Sequence, residues 1–308
     1  MLTAFVSHPD CLKHETGQGH PESAARLHAI EDRLIESQLY YLLRHLNAGE
    51  VTRAQLLRVH DADYLDALDA SPGQKGLHYL DPDTPIGPHS LRAARLAAGA
   101  LVTAVDHVMQ GDMDNAFCAV RPPGHHARRD RAMGFCIYNN IAVGVAHALE
   151  AHGLERVAIL DFDVHHGNGT EEIFAADPRV MVCSTFQHPF YPDFPFEENG
   201  SRILCAPLHA GTGSSEFRAA VEQKFLPALE CFRPQMIFIS AGFDAHRDDD
   251  MSDLNLTEAD YAWVTGRMVE LAHRHAGKRV VSTLEGGYEL RSLARSVEAH
   301  LRALMELH

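Results

Sequence analysis

Val157-Ala158-Ile159-Leu160-Asp161-Phe162-Asp163-Val164-His165-His166-Gly167-Asn168-Gly169 is the stretch whose reading decides the fold. Its first half, Val157 to Phe162, is short and nearly continuously apolar, as expected of a parallel strand covered on both faces. Past Leu160, polar residues take every second position. If extended geometry persists, Asp161, Asp163 and His165 point to one side while Phe162 and Val164 point to the other. A strand end that offers two carboxylates and an imidazole together carries more than packing requires.

Runs of the same character lie on either side: Ala4 to Ser7, Ala116 to Arg121, Val180 to Ser184, Met236 to Ser240 and Val280 to Leu284. Segments of helical period separate them, at Pro88 to Met109, Asn139 to His152, Ser214 to Leu229 and Glu258 to His275, the last opening after a capping Thr257. Strand, loop and helix in repetition predict α/β architecture, a three-layer αβα sandwich with a mainly parallel central sheet, as one domain over residues 1–308. Two irregular segments, Leu77 to Pro88 and Gln187 to Gly200, read as surface connections or functional loops.

Apolar residues make up 45% of the 308 and charged residues 22%, enough to fill a large core. A net charge of −15 speaks against direct nucleic-acid binding, which needs a positive face, and suits small cationic substrates. The cysteines at 11, 118, 136, 183, 205 and 231 are scattered and read as buried thiols. Neither a signal peptide nor a membrane span is legible, so a cytoplasmic protein is expected.

Four strand-like runs end in chemistry: Arg121-Pro122-Pro123-Gly124-His125-His126, the opening stretch, Ser240-Ala241-Gly242-Phe243-Asp244-Ala245-His246, and Glu285-Gly286-Gly287-Tyr288. In a parallel sheet such ends share one edge, where ligands bind. Asp163, His165 and Asp244 then make a mixed nitrogen and oxygen donor set with an open position, which fits catalytic zinc. His125 and His126 offer proton transfer, and Tyr288, after two glycines, offers a phenolic donor to a developing oxyanion.

These residues, together with Gly19-His20-Pro21-Glu22 and Arg26, resemble the arginase-like histone deacetylase superfamily over most of the chain. The resemblance is particularly to bacterial relatives of class II histone deacetylases and to acetylpolyamine amidohydrolases. It implies Asp163, His165 and Asp244 as zinc ligands, His126 as general base and His125 as its electrostatic partner. Asp161 would bond to His125, Asn168 would orient His126 in the class II manner, and Tyr288 would polarise the acyl carbonyl. It further implies a structural potassium at Asp161, Asp163, His165, Ser184 and Thr185, and a second monovalent site at Phe174, Asp177 and Val180. An acyl-lysine channel would be walled by Phe135 and by Phe190 with Tyr191, which replaces a usual Phe, and rimmed by Met251. Asp248-Asp249-Asp250 departs from the family's Gly-Asp-Pro and predicts a more acidic, less rigid loop. Of Asp81 and Asp83, one is expected at the rim.

The expected reaction is zinc-dependent hydrolysis of a linear N-acyl amine, on an acetylated lysine peptide or a small acylated amine such as an acetylpolyamine. Met251 at the rim favours acyl-lysine, while the acidity favours a polyamine. An arginase-type site with two manganese ions lacks its additional carboxylates at Gly167 and His246. A non-catalytic acyl-lysine binder would keep the pocket without turnover. The Gln187 to Gly200 loop could cover the channel or form a homo-oligomer interface.

Overall fold

The computed structural model describes residues 1–71, 76–193, 195–196 and 202–307. Its strands are β1 (Thr3–Ser7), β2 (Arg44–Asn47), β3 (His78–Tyr79), β4 (Pro85–Ile86), β5 (Asn115–Cys118), β6 (Val157–Asp161), β7 (Val180–Gln187), β8 (Ile203–Leu208), β9 (Met236–Ala241) and β10 (Val280–Leu284). Eight of them form a sheet of order β2-β1-β5-β10-β9-β6-β7-β8 in which every pairing is parallel. β3 and β4 make a separate antiparallel pair. The register sets Leu46, Val6, Cys118, Thr283, Ser240, Asp161, Ser184 and Cys205 in one row across the sheet. That row lies toward the carboxyl ends of the strands, so the loops that follow open together along one edge.

Helices α1 (Ala25–Glu36), α2 (Arg53–Leu56), α3 (Ala62–Ala70), α4 (Ser90–Gln110), α5 (Asn140–His152), α6 (Asn168–Phe174), α7 (Ser214–Ala220), α8 (Leu226–Phe232), α9 (Glu258–Leu271) and α10 (Leu290–Leu304) cover the sheet. The twofold alternation of strand side chains divides the interior into two cores. Val157 and Ile159 of β6 pack with residues of α4 and α5, whereas Ala158 and Leu160 pack with residues of α1, α9 and α10. This is the expected three-layer α/β sandwich with a parallel sheet.

The boundaries differ from the sequence reading in ways with physical causes. β5 stops at Cys118, not Arg121, because Arg121 turns inward to bind Glu22. β7 continues past Ser184 to Gln187 by pairing with β8. The helical segments expected over Ser214 to Leu229 and Glu258 to His275 each contain a π turn, at Val221–Phe225 and Ala272–Ala276. Each such turn inserts a residue and shifts the phase of the buried face. Thr257 caps α9 with Asp260 in a reciprocal box. None of the six cysteines forms a disulfide, and Cys231 on α8 is exposed, contrary to the expectation of a buried thiol. Among the described residues no helix is long and apolar enough to cross a membrane.

Candidate active site

At the end of β6 the backbone turns so that side chains cap the N–H groups that follow. Asp161 Oδ1 accepts from the Asp163 N–H at 3.1 Å, and Asp163 Oδ1 accepts from the His165 N–H at 2.8 Å. From β9, Asp244 Oδ1 accepts from the Val164 N–H at 3.0 Å, which fixes the two loops against each other. His165 Nδ1 then lies 3.0 Å from Asp163 Oδ1 and 3.2 Å from Asp244 Oδ2. One donor atom from each residue falls within 4.8 Å of the others, and all three residues are buried.

Burial penalises charge on His165, but Asp163 and Asp244 outweigh it and lift its pKa to about 10. Burial, with the charge of Asp163 beside it, pushes Asp244 up to about 6. A site with this excess of carboxylate fits a divalent cation. Asp244 Oδ2 supplies the direct observation: it is buried, makes no hydrogen bond of good geometry among the described residues although His165 Nδ1 is 3.2 Å away, and is grouped with the other two donors. The cradle has no spare room. A Cβ on Gly242 would lie 2.0 Å from Asp163 Oδ2, and one on Gly286 would lie 2.0 Å from Asp244 Oδ2. Nitrogen and oxygen donors in this number and arrangement fit zinc.

His125 and His126 lie side by side next to these donors, ring centroids 4.0 Å apart and planes tilted by 47°. His125 Nδ1 donates to Asp161 Oδ2 at 2.9 Å. Burial opposes a charge on His125, yet Asp161 and Asp163 prevail and raise its pKa to about 10. His126 Nδ1 donates to Asn168 Oδ1 at 2.8 Å, since an amide oxygen can only accept. That leaves Nε2 of His126 with a free lone pair. Burial, then the neighbouring His125 and His165, hold His126 well below its ordinary pKa and keep it neutral. Two adjacent imidazoles are thereby driven to opposite protonation states, an arrangement suited to proton transfer.

A cavity of about 240 Å³ leads to this centre, lined by Asp83, Pro123, His125, His126, Gly134, Phe135, His165, Phe190, Tyr191, Met251, Gly286 and Tyr288. Phe135, Tyr191 and Met251 are among these residues. Phe190 stacks on His165 at 5.4 Å, while Tyr191 meets the edge of His126 at 5.4 Å and is 37% exposed. Asp83 is the acid that reaches the cavity, and its Oδ1 accepts from the Gly134 N–H at 3.1 Å. Asp81 is not among the lining residues, and burial together with Asp83 lifts its pKa to about 6. Tyr288 stands edge-on to Phe135 at 6.0 Å with the Arg26 guanidinium 5.0 Å from its ring centroid. Burial and the charge of Asp244 keep its phenol protonated, well above the ordinary value.

Ser184 neighbours Asp161 in the sheet register, and its buried hydroxyl has no hydrogen-bond partner among the described residues. Thr185 follows it, also buried. Phe174, Asp177 and Val180 are linked by two successive turns, in which the Asp177 N–H donates to Phe174 O at 3.0 Å and the Val180 N–H to Asp177 O at 3.2 Å. Of the Gln187 to Gly200 loop, Phe194 and residues 197–200 lie outside the described residues.

The sequence reading gave no role to two acids that the structure places at the centre. Glu285 Oε2 accepts from the Gly124 N–H at 2.7 Å and the His125 N–H at 3.1 Å, holding the histidine turn. Asp249, in the run expected to loosen its loop, instead ties that loop through three backbone hydrogen bonds. Of the three acids, Asp249 alone coincides with the Asp of the family's Gly-Asp-Pro, and that match is the signal by which it could have been found.

Residues 20–304 match the histone deacetylase domain. The chain is 40% identical to the histone deacetylase-like amidohydrolase of Pseudomonas aeruginosa, over 93% of this chain and 81% of that protein. It is 38% identical to a probable deacetylase of Archaeoglobus fulgidus, over 94% of this chain and 82% of that one. The crystal structure of the HDA15 HD domain superposes with a TM-score of 0.93 at 36% identity, covering 99% of this chain and 90% of the other. Its fold, its sequence and the chemistry gathered at its sheet edge make this chain a member of the histone deacetylase family of deacetylases and amidohydrolases.

Proposed function

We propose that this protein hydrolyses N-acyl amines, acetyl-lysine side chains foremost, at a single zinc ion held by Asp163, His165 and Asp244. The observation that carries the reading is the orphaned Asp244 Oδ2, buried at the foot of an aromatic-walled cavity that also holds His126 and Tyr288. Zinc bound there supplies a Lewis acid for the acyl oxygen and for water.

The chain's own groups do the rest. Phe135 and Tyr191 flank the acyl-bearing chain and exclude water, with Met251 at the rim. The free Nε2 of His126 takes a proton from the attacking water. His125, charged beside Asp161, raises the positive potential around the developing oxyanion. The Tyr288 hydroxyl donates to the same oxygen. The nitrogen–carbon bond then breaks, a histidine returns a proton to the amine, and a carboxylate and an amine leave. Asp161 and Asn168 act on the two imidazoles and do not touch the substrate. We assign potassium to Asp161, Asp163, His165, Ser184 and Thr185 on the strength of the unpartnered Ser184 hydroxyl, and a second monovalent ion to the Phe174, Asp177 and Val180 turns.

The test is turnover by zinc-replete protein on acetyl-lysine peptides, free acetyl-lysine and acetylpolyamines, with and without a chelator. Chelator-sensitive release of acetate from acetyl-lysine peptides is expected. Tyr288→Phe should lose most of kcat while retaining ligand affinity. Polyamine turnover with inert peptides would shift the substrate class, and binding without hydrolysis across the panel would refute the enzymatic reading.

A further inference from the structure

Asp249 is a carboxylate 3% exposed that faces no cation among the described residues. Its partners are backbone dipoles. Oδ2 accepts from the Tyr288 N–H at 2.6 Å and the Glu289 N–H at 3.0 Å, and Oδ1 accepts from the Met251 N–H at 3.1 Å. Its neighbours behave differently: Asp248 reaches out to Arg295 at 3.2 Å, and Asp250 is exposed. Burying a carboxylate is costly unless its lone pairs are filled, and here they are filled by amides of the two elements that wall the cavity.

We propose that Asp249 is a positioning residue for Tyr288. This rests on the reading of Tyr288 as the donor to the acyl oxygen. The turn that carries Tyr288 begins with two glycines, Gly287 sitting at φ +117, so the backbone before it has wide freedom. The Gly286 N–H is held by Asp163 Oδ2 at 2.8 Å and the Gly287 carbonyl by Arg26 Nε at 2.7 Å. Those contacts fix the turn ahead of Tyr288, whereas Asp249 fixes the peptide groups of Tyr288 and of Glu289, the cap of α10. An anion at the amino end of this helix is also favoured by the helix dipole. The same carboxylate holds Met251, so the donor and the rim of the channel are set relative to each other by one side chain. Asp249 does not line the cavity and acts only through what it holds.

A purely structural cap would cost stability and affect turnover in every background. Positioning gives a different pattern. Asp249→Asn keeps one acceptor oxygen but sets an NH2 against backbone N–H groups, and is expected to lower kcat about 10- to 100-fold on an acetyl-lysine peptide, with KM within about threefold. Zinc content should stay close to the parent's, and the stability lost to the unsatisfied donors, about 1–3 kcal/mol, should be the same in both Tyr288 backgrounds. In a Tyr288→Phe background the same substitution should cost less than about twofold, because the hydroxyl it positions is gone. Asp250→Asn, which removes the same charge one residue away, should leave kcat unchanged. Should Asp249→Asn fail to fold, Asp249→Glu carries the same test by moving the carboxylate one methylene.

Parental kcat in the folded Asp249 variant, or an equal loss in both backgrounds, overturns the proposal. Full turnover by Tyr288→Phe alone would sink the role of Tyr288 and this one with it. That result is distinct from failure of Asp249 alone, in which Tyr288→Phe is crippled and Asp249→Asn is not.

Discussion

Gly286→Ala adds one methyl group to a turn and should severely weaken metal binding. The backbone at Gly286 is not in the left-handed region, so the argument concerns room alone. The new Cβ would lie 2.0 Å from Asp244 Oδ2 and 2.7 Å from Asp163 Oδ2. An ordinary carbon–oxygen contact is about 3.4 Å, so Asp244 Oδ2 must retreat by about 1.4 Å, whereas zinc–oxygen bonds tolerate about 0.2 Å. If the turn moves instead, the Gly286 N–H leaves Asp163 Oδ2, now 2.8 Å away, and that carboxylate loses its alignment. Either route removes a ligand from a three-ligand site. Zinc affinity should fall at least about 100-fold, or about 2.8 kcal/mol. The assay is zinc content by mass spectrometry after dialysis, with dissociation constants from competition against a chromophoric chelator. Gly266→Ala on α9 is the control, because its Cβ would meet nothing within 4 Å. That variant should keep its zinc and gain about 0.5–1 kcal/mol of stability. A Gly286→Ala protein that binds zinc within threefold of the parent would refute the reasoning.

Two further predictions concern the frame around the site. Glu22 is fully buried between Arg121, which donates at 2.6 Å, and Arg26 at 3.3 Å, so Glu22→Gln strands two guanidinium groups. It should lower the stability to urea by about 3–5 kcal/mol without changing the slope of the transition, and a loss under 1 kcal/mol would contradict the reading. His60 is neutral in the fold: Nδ1 bonds to Arg128 O at 2.8 Å and Nε2 accepts from the Asn139 N–H at 3.0 Å, and burial brings its pKa from 6.5 to about 4. The unfolded chain takes up that proton first, so this stability is complete above pH 6.5 and drains as pH falls toward 4. The parent should lose about 2 kcal/mol between pH 7 and 5 relative to His60→Gln, and a pH-independent difference between the two would be inconsistent with a neutral His60.

The central strands were legible because β6, β9 and β10 are covered on both faces and therefore read as unbroken apolar runs. The sheet edges were not. β2 is largely exposed and polar, and β8 carries Pro207, which an edge strand tolerates but which argues against a strand in a window of sequence. α10 was overlooked although Leu293, Val297, Leu301 and Leu304 form a buried stripe at helical spacing. Within the site, Asp163, His165 and Asp244 stood out because three metal-competent residues end apolar strands. Glu285 went unread because it serves backbone N–H groups, and a backbone donor leaves no trace in residue type; Asp249 does the same, and only its match to the middle of Gly-Asp-Pro marks it.

The row that joins Thr283, Ser240, Asp161 and Ser184 across four strands has a consequence for assembly. The donors follow the row at fixed offsets along β6 and β9, so a slip of one residue between these strands would carry Asp244 away from His165 and turn alternate side chains to the wrong face. Under the proposed function, affinity for zinc would thus be a gauge of strand register. A chain mispaired at its centre would gain nothing from the ion, whereas one correctly aligned would gain about 2.7 kcal/mol at a hundredfold excess over the dissociation constant. The proposed metal centre would then act as an inspector of the sheet, rewarding the one alignment in which the hydrolytic groups can meet.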